Sequence, residues 1–311
     1  MVVLYSFLLF SIIITCFCIL FAIFTASSFI KSVRTRVIGI PSDLGISFED
    51  VLLHTEDKIA LSGWYLENST SRTTIIMIHD RDRDRADDQM GLLNLQADYA
   101  KQGFSILSFD LRGCGESTGK RGHLGQFELR DIEAAILYSR RRKPQDSIVL
   151  HGFGLGATLA IEIGSKNQDI TAIVADAPIN SIASILEETY LWMPGFIFRL
   201  SGFFSKIIFK SDPYYFQLME KVQNIKIPIL FVHSDYDDVV PVWHSINLCA
   251  SSINPHHYLW LHKNHKGHCT YYLDHSVEYL LRIKDFISKF APIPIHIVRD
   301  SSENNIEQKV S

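Results

Sequence analysis

"HGFGLGAT" spans His151 to Thr158, directly after the apolar run Ser147-Ile148-Val149-Leu150 and directly before Leu159-Ala160-Ile161-Glu162. A short continuous apolar run reads as a strand buried on both faces, and the residues after Thr158 read as a helix. The stretch between them is therefore a strand-to-helix turn. Glycine at 152, 154 and 156 suits a turn in which the chain reverses sharply or passes close to another backbone, because a glycine carries no Cβ. A dinucleotide fingerprint is a poor match: that motif needs G-x-G-x-x-G, and here G-x-G-x-G lies deep in the chain.

Working outward, "TTIIMIH" (73–79), "FSILSFD" (104–110), "ITAIVAD" (170–176), "IPILFVHS" (227–234) and "HHYLWLH" (256–262) are further strand-like runs. Helical periodicity lies between them, at Met90, Leu92, Leu93, Leu95 and Tyr99, over 126–141, and in the closing "SVEYLLRIKDFISKF". Alternation of this kind predicts an α/β domain with a mostly parallel central sheet and helices on both faces. The sheet begins differently. "FEDVLLHT" and "IALSGWYLE" flank Glu56-Asp57-Lys58 and read as an antiparallel hairpin. Residues 177–226 interrupt the rhythm with the aromatic-rich "LWMPGFIFRLSGFFSKIIF", which reads as a helical cap insertion. Three readings of it stand open: a cap with its own apolar contacts, a lid over an apolar ligand, or a surface resting on a membrane. The domain is expected over 47–290, with a C-terminal tail at 291–311 that is polar and disordered from about Asp300.

Residues 2–30 carry no charged side chain. At ~1.5 Å per residue they exceed the ~30 Å hydrocarbon core of a bilayer. A cleaved signal peptide would need a basic start and an apolar stretch of about 7–15 residues, so the segment reads as one N-terminal transmembrane helix. Residues 31–46 then form a linker. Lys31, Arg34 and Arg36 follow the span and nothing but the α-amino group precedes it, which by the positive-inside rule leaves the C-terminal domain in the cytosol. Cys114, Cys249 and Cys269 are an odd set outside the span and give no disulfide framework. The sequon Asn68-Ser69-Thr70 would be used only in a lumenal domain. With 30 basic and 34 acidic residues interspersed along 311, the chain has no electrostatic footprint for nucleic acid.

Six landmarks in order resemble the α/β-hydrolase superfamily, and within it the serine aminopeptidase-like branch of esterases and peptidases: "LGISFEDVLLHTEDKIALSGWYL", "IIMIHD", "FSILSFDLRGCGESTGK", "GFGLGATLA", "DYDDVVP" and "GHCTYYLDHSVEY". The resemblance covers roughly residues 37–290. It implies an α/β-hydrolase fold and a nucleophile elbow, G-x-S-x-G, followed in chain order by an acid and a histidine. Asp237 matches the acid, ahead of Asp235 and Asp238, although the same residue also suits a turn or helix cap. His268 matches the histidine, ahead of His265.

The nucleophile position holds Gly154. Glycine keeps the elbow easy to build and removes the attacking atom. A second departure lies after "IIMIH", where the family has glycine and this chain has Asp80. A carboxylate there opposes an oxyanion, so the oxyanion position comprises Asp80, Arg81 and the Leu155 amide, the remaining donor. The run "DRDRDR" is expected to be a solvated loop whose charges pair internally. Cys114, with Ser117 nearby, is the alternative nucleophile on the loop after "FSILSFD". Cys269, next to His268, is expected to point away along an extended segment. His262, His265 and His268 have a superficial metal-ligand spacing but no carboxylate set, so neither a metal nor a cofactor is expected.

The expected function is thus a membrane-anchored, non-catalytic serine-hydrolase homologue that keeps a pocket for a small apolar ligand or a surface for a protein partner. The alternative is an active hydrolase of ester, lipid or peptide bonds that uses a displaced nucleophile or a water activated by His268.

Overall fold

Each apolar run of the sequence needs two covered faces, and the computed structural model supplies them with one eight-stranded sheet; residues 1–120 and 122–292 are described. Strands β1 (Glu49–His54) and β2 (Ala60–Leu66) form the hairpin. They are followed by β3 (Thr73–Ile78), β4 (Ser105–Phe109), β5 (Ser147–Phe153), β6 (Ile170–Asp176), β7 (Ile229–Tyr236) and β8 (His257–Lys266). The spatial order is β1-β2-β4-β3-β5-β6-β7-β8. Only the β1–β2 and β2–β4 pairings are antiparallel, and β4, β3, β5, β6, β7 and β8 run parallel. All six residues of β3 are buried, as its unbroken apolar run requires of a strand between two neighbours and two helical layers.

The helices are α1 (Val2–Phe29), α2 (Leu92–Lys101), α3 (Leu129–Arg142), α4 (Leu155–Gly164), α5 (Ile182–Thr189), α6 (Gly195–Phe209), α7 (Leu218–Val222), α8 (Trp243–Ser251), α9 (Tyr271–Asp274) and α10 (Ser276–Ser288). Side chains alternate along the strands and so build two cores. Ile76, Ile78, Leu150 and Phe231 meet Ile132 of α3, Leu159 of α4 and Leu248 of α8 on one face. Ile75, Met77, Val149 and Val232 meet Leu95 of α2 and Ile283 of α10 on the other. Helices α5, α6 and α7 lie within 177–226, the segment whose aromatic content broke the strand–helix rhythm. Strand β8 is longer than its sequence signal, because pairing with β7 continues past the apolar run through polar residues as far as Lys266. The tail beyond Pro292, including the stretch expected to be disordered, lies outside the described residues.

Helix α1 is uncharged throughout and mostly apolar, and it is not uniform in its surroundings. Ala22, Thr25, Ala26 and Phe29 in its last turns are buried against the domain, whereas the N-terminal residues are exposed. Phe29 contacts Tyr190 and Phe198, with ring centroids 5.3 and 5.7 Å away.

The junction of β5 and α4 depends on backbone passing backbone. A Cβ on Gly156 would lie 2.6 Å from the His79 carbonyl oxygen and closer still to that of Ile78. Neither obstacle is a flexible side-chain end, so α4 can seat against β3 only with glycine there. Gly156→Ala is expected to destabilise the fold by about 3 kcal/mol, as other forced overpacking does. Thermal unfolding of the full chain in micelles would register a clear fall in Tm; an unchanged Tm would refute the packing argument.

Candidate functional site

The turn that ends β5 carries Gly154 at φ 53°, ψ −115°, a left-handed backbone that an L side chain adopts only under strain. Its amide donates to the Asp176 carbonyl at 2.8 Å, which ties the turn to the end of β6. A Cβ added to Gly154 would lie 2.8 Å from Asp80 Oδ2 and closer to Oδ1 and Cγ. The Asp80 carboxylate therefore occupies the space in which a nucleophilic side chain on the elbow would stand.

Two groups hold that carboxylate, and His79 fixes its backbone. The Leu155 amide, first in α4, donates to Oδ1 at 2.6 Å, and His268 Nε2 lies 3.2 Å from Oδ2. His79 Nδ1 is 2.6 Å from the Asp80 carbonyl, and its Nε2 accepts from the Leu111 amide at 2.9 Å, which fixes the backbone from which the side chain projects. On the far side of the imidazole, His268 Nδ1 is 2.7 Å from Asp237 Oδ2. Asp237 Oδ1 accepts from the amides of Val239 (2.9 Å) and Val240 (2.8 Å), so it serves as a turn aspartate and as the partner of His268 at once.

Burial opposes charge on all three groups, and their mutual contacts overcome it. Burial alone would raise the Asp80 carboxyl, but the hydrogen bond from His268 and the Leu155 amide hold it below the ordinary carboxylate range. Asp237 is likewise held low, against its burial, by His233 and His268. For His268, burial would favour the neutral ring; its contacts to Cys269, Asp237 and Asp80 push its pKa well above the ordinary imidazole value. At neutral pH the site is thus an imidazolium between two carboxylates. An imidazolium has no lone pair with which to accept a proton from serine, thiol or water.

The acid–base run around Asp80 departs from the solvated loop expected of it. Asp84 and Arg85 are buried, with Arg85 paired to Asp110 and Glu116. Thr35 Oγ1 donates to Asp84 Oδ2 at 2.6 Å, and Arg81 Nη2 donates to the carbonyls of Phe29 (2.7 Å) and Lys31 (3.1 Å). The charges are used inward because the end of α1 and residues 31–35 lie across the run. Arg34 joins them by donating to the carbonyls of Gly115 and Ser117, each at 2.7 Å. Beneath this strap a cavity of ≈20 Å³ is lined by Phe29, Arg81, Cys114 and Leu155. That is room for about one water.

Cys114 is buried in the wall of this cavity, and burial pushes its thiol up to about 12, far from the thiolate that attack needs. Ser117 donates to the Asp110 carbonyl at 2.6 Å and accepts from Ser62, which makes it part of the β2–β4 framework. Cys269 corrects a further expectation. It does not lie on extended backbone but at φ 54°, and its Sγ sits 3.7 Å from His268 Nε2 and 3.6 Å from the Asp176 carbonyl. Its thiol is buried and raised by that burial. His265 is elsewhere, between Ser234 and Asp274, and His262 stacks on Tyr271 with centroids 3.4 Å apart. No cluster of His, Cys, Asp and Glu fit for a metal occurs among the described residues.

No motif points to His233, whose Nε2 lies 3.4 Å from Asp237 Oδ2, or to Asp176, whose buried carboxyl accepts from Tyr279 and is raised by burial to about 6. Both belong to apolar strand runs, and their partners come from distant elements, Tyr279 of α10 for Asp176 and Ser245 of α8 with the 237–240 turn for His233.

The charges of the site predict a pH dependence. The folded pKa of His268 is raised, so its stabilising contribution is complete below the unfolded value near 6.5 and is lost as pH rises toward the folded one. Both aspartates are depressed, so theirs is complete above their unfolded value of 3.8 and lost as pH falls below it. Above pH 6.5 wild type should lose about 1 kcal/mol per pH unit through His268. In Asp80→Asn the histidine pKa falls and that loss ends at lower pH. Denaturant unfolding of the two proteins across alkaline pH should give diverging slopes; parallel slopes would refute the charge assignment.

The profile of the serine aminopeptidase family, S33, matches residues 87–212. Protein bem46 of Schizosaccharomyces pombe is 25% identical over 70% of this chain and 71% of its own. An uncharacterized membrane protein of Saccharomyces cerevisiae is 27% identical over 68% of this chain and 72% of its own. Among solved structures, the Pyrococcus furiosus esterase Pf2001 superposes with a TM-score of 0.69 at 23% identity, covering 84% of this chain and all of its own. Sheet order, elbow and family match agree, and the chain belongs to the α/β-hydrolase superfamily.

Proposed function

We propose that this protein is a membrane-anchored, non-catalytic relative of the serine hydrolases, held by α1 with its domain on the cytosolic side and working as a contact surface. One observation carries the reading: the Asp80 carboxylate stands in the nucleophile's place and holds both the Leu155 amide and His268. The missing serine and the occupied oxyanion donor support the same conclusion. A single substitution at the elbow would remove an attacking atom, whereas here the donor and the base are also engaged. The ≈20 Å³ cavity beside Asp80 favours a surface over a ligand pocket.

A fluorophosphonate probe on the full-length protein in detergent tests this. Wild type should not label. Gly154→Ser alone should not label either, because its Cβ would meet the Asp80 carboxylate. The double variant Gly154→Ser, Asp80→Gly frees the elbow, the Leu155 amide and His268 together. It should label and hydrolyse a simple aryl ester at least ~100-fold faster than wild type. Labelling of wild type, or of the single variant, would overturn the reading.

The cytosolic orientation rests on Lys31, Arg34 and Arg36 and has its own test. The sequon Asn68-Ser69-Thr70 lies in the turn between β2 and β3, with Ser69 and Thr70 exposed, so a glycosyltransferase could reach it in a lumenal domain. Expression in a eukaryotic host should leave Asn68 unmodified. A glycosidase-sensitive mass shift would place the domain in the lumen.

A further inference from the structure

We infer that α6, with the turn before it, lies in the headgroup layer of the leaflet from which α1 emerges, as a second membrane attachment. The inference rests on the reading of α1 as a membrane span. Helix α1 has 28 residues. About 20 of them at ~1.5 Å each suffice for the ~30 Å hydrocarbon core. The largely exposed stretch that ends at Leu20 meets that length, and the remaining turns, in which Ala22, Thr25, Ala26 and Phe29 are buried against the domain, must emerge at headgroup level. At that level α1 packs against α6 and its preceding turn. Phe21 meets Trp192 edge-on at 6.2 Å between centroids, and Ser28 Oγ is 2.7 Å from Tyr190 OH. The domain surface continuous with the span is therefore set at the membrane boundary by the span itself.

That surface has the chemistry of the boundary. Leu191, Trp192, Phe196, Phe203 and Ile207 are each more than half exposed. Positions 196, 203 and 207, spaced by seven and four residues, share one face of α6. Within Gly195–Phe209 there is no acidic residue, and exposed Arg199, Lys206 and Lys210 lie to one side of the apolar face; Lys206 pairs with Asp212 at 2.8 Å. An apolar stripe flanked by cations is what an interfacial helix presents to anionic lipid, and tryptophan favours the same depth. The occupant is the bilayer, because the patch is continuous with α1 and cannot leave the membrane's edge while α1 spans it.

The test uses full-length protein in phosphatidylcholine–phosphatidylserine vesicles, washed at alkaline pH and floated. Flotation reads α1; if the protein is stripped from the vesicles, the span and this inference both fail. In floated protein, the emission component missing from Trp192→Phe reports α6. It should lose most of its intensity to lipids brominated near the headgroup end of the acyl chain and little to aqueous iodide. Phe203→Ser, a change on the exposed face, should weaken the lipid quenching and leave flotation intact. Quenching by iodide alone would overturn the inference by placing Trp192 in water. Shielding from both quenchers would overturn it in favour of a second copy or a protein partner on α6, and unchanged quenching in Phe203→Ser would deny the apolar face its part.

Discussion

An imidazolium held between two carboxylates organises this site. His268 reaches Asp237 with one ring nitrogen and Asp80 with the other, at 2.7 and 3.2 Å. Burying any one of these charges alone would be costly, and burying the three together is tolerable because each is paired and hydrogen-bonded. The elbow follows from the same constraint. With Asp80 Oδ1 on the Leu155 amide, no Cβ fits at position 154, so glycine there answers sterics as well as backbone geometry. Two departures from the family pattern, at 80 and at 154, thus become one physical arrangement in which the Asp80 carboxylate requires glycine at the elbow.

Adjacent residues link this arrangement to α1, the candidate membrane span. Asp80 fills the site while Arg81 donates to the carbonyl of Phe29, which α1 leaves without an intrahelical partner at its C-terminus, and to that of Lys31 just beyond the cap. A cation at that end also suits the helix dipole. The strap formed by residues 31–35 and the buried Arg85 then hold the loop against β4. The site and α1 consequently share one short segment, and the cavity beneath it admits about one water.

The fold was legible because its signals are local. Continuous apolar runs marked β3, β4, β5, β6 and β7, and the turn at Gly152, Gly154 and Gly156 marked the crossing from strand to helix. Asp237 and His268 could be selected by order and by the motifs around them, and the structure does bring them together. What sequence could not supply was the direction of side chains on loops. "DRDRDR" has the composition of a solvated run, yet Asp84 and Arg85 are buried because distant segments, 31–35 and 110–116, close over them. Cys269 was misread for a related reason: alternation of side chains holds only on extended backbone, and this residue has φ 54°. The residue type at position 80 marks an obstacle to an oxyanion; its overlap with the nucleophile's space depends on the three-dimensional approach of two distant loops.

The account stands on the protonation state of one ring. The ¹⁵N spectrum of the full chain, labelled at histidine and assigned through loss of one signal in His268→Gln, reads both nitrogens directly. Because Asp237 and Asp80 each accept a hydrogen bond from this ring, both nitrogens should remain protonated at pH 8, well above the ordinary imidazole pKa of about 6.5. A His268 ring that titrates near that ordinary value, with one nitrogen bare at pH 8, would contradict the account.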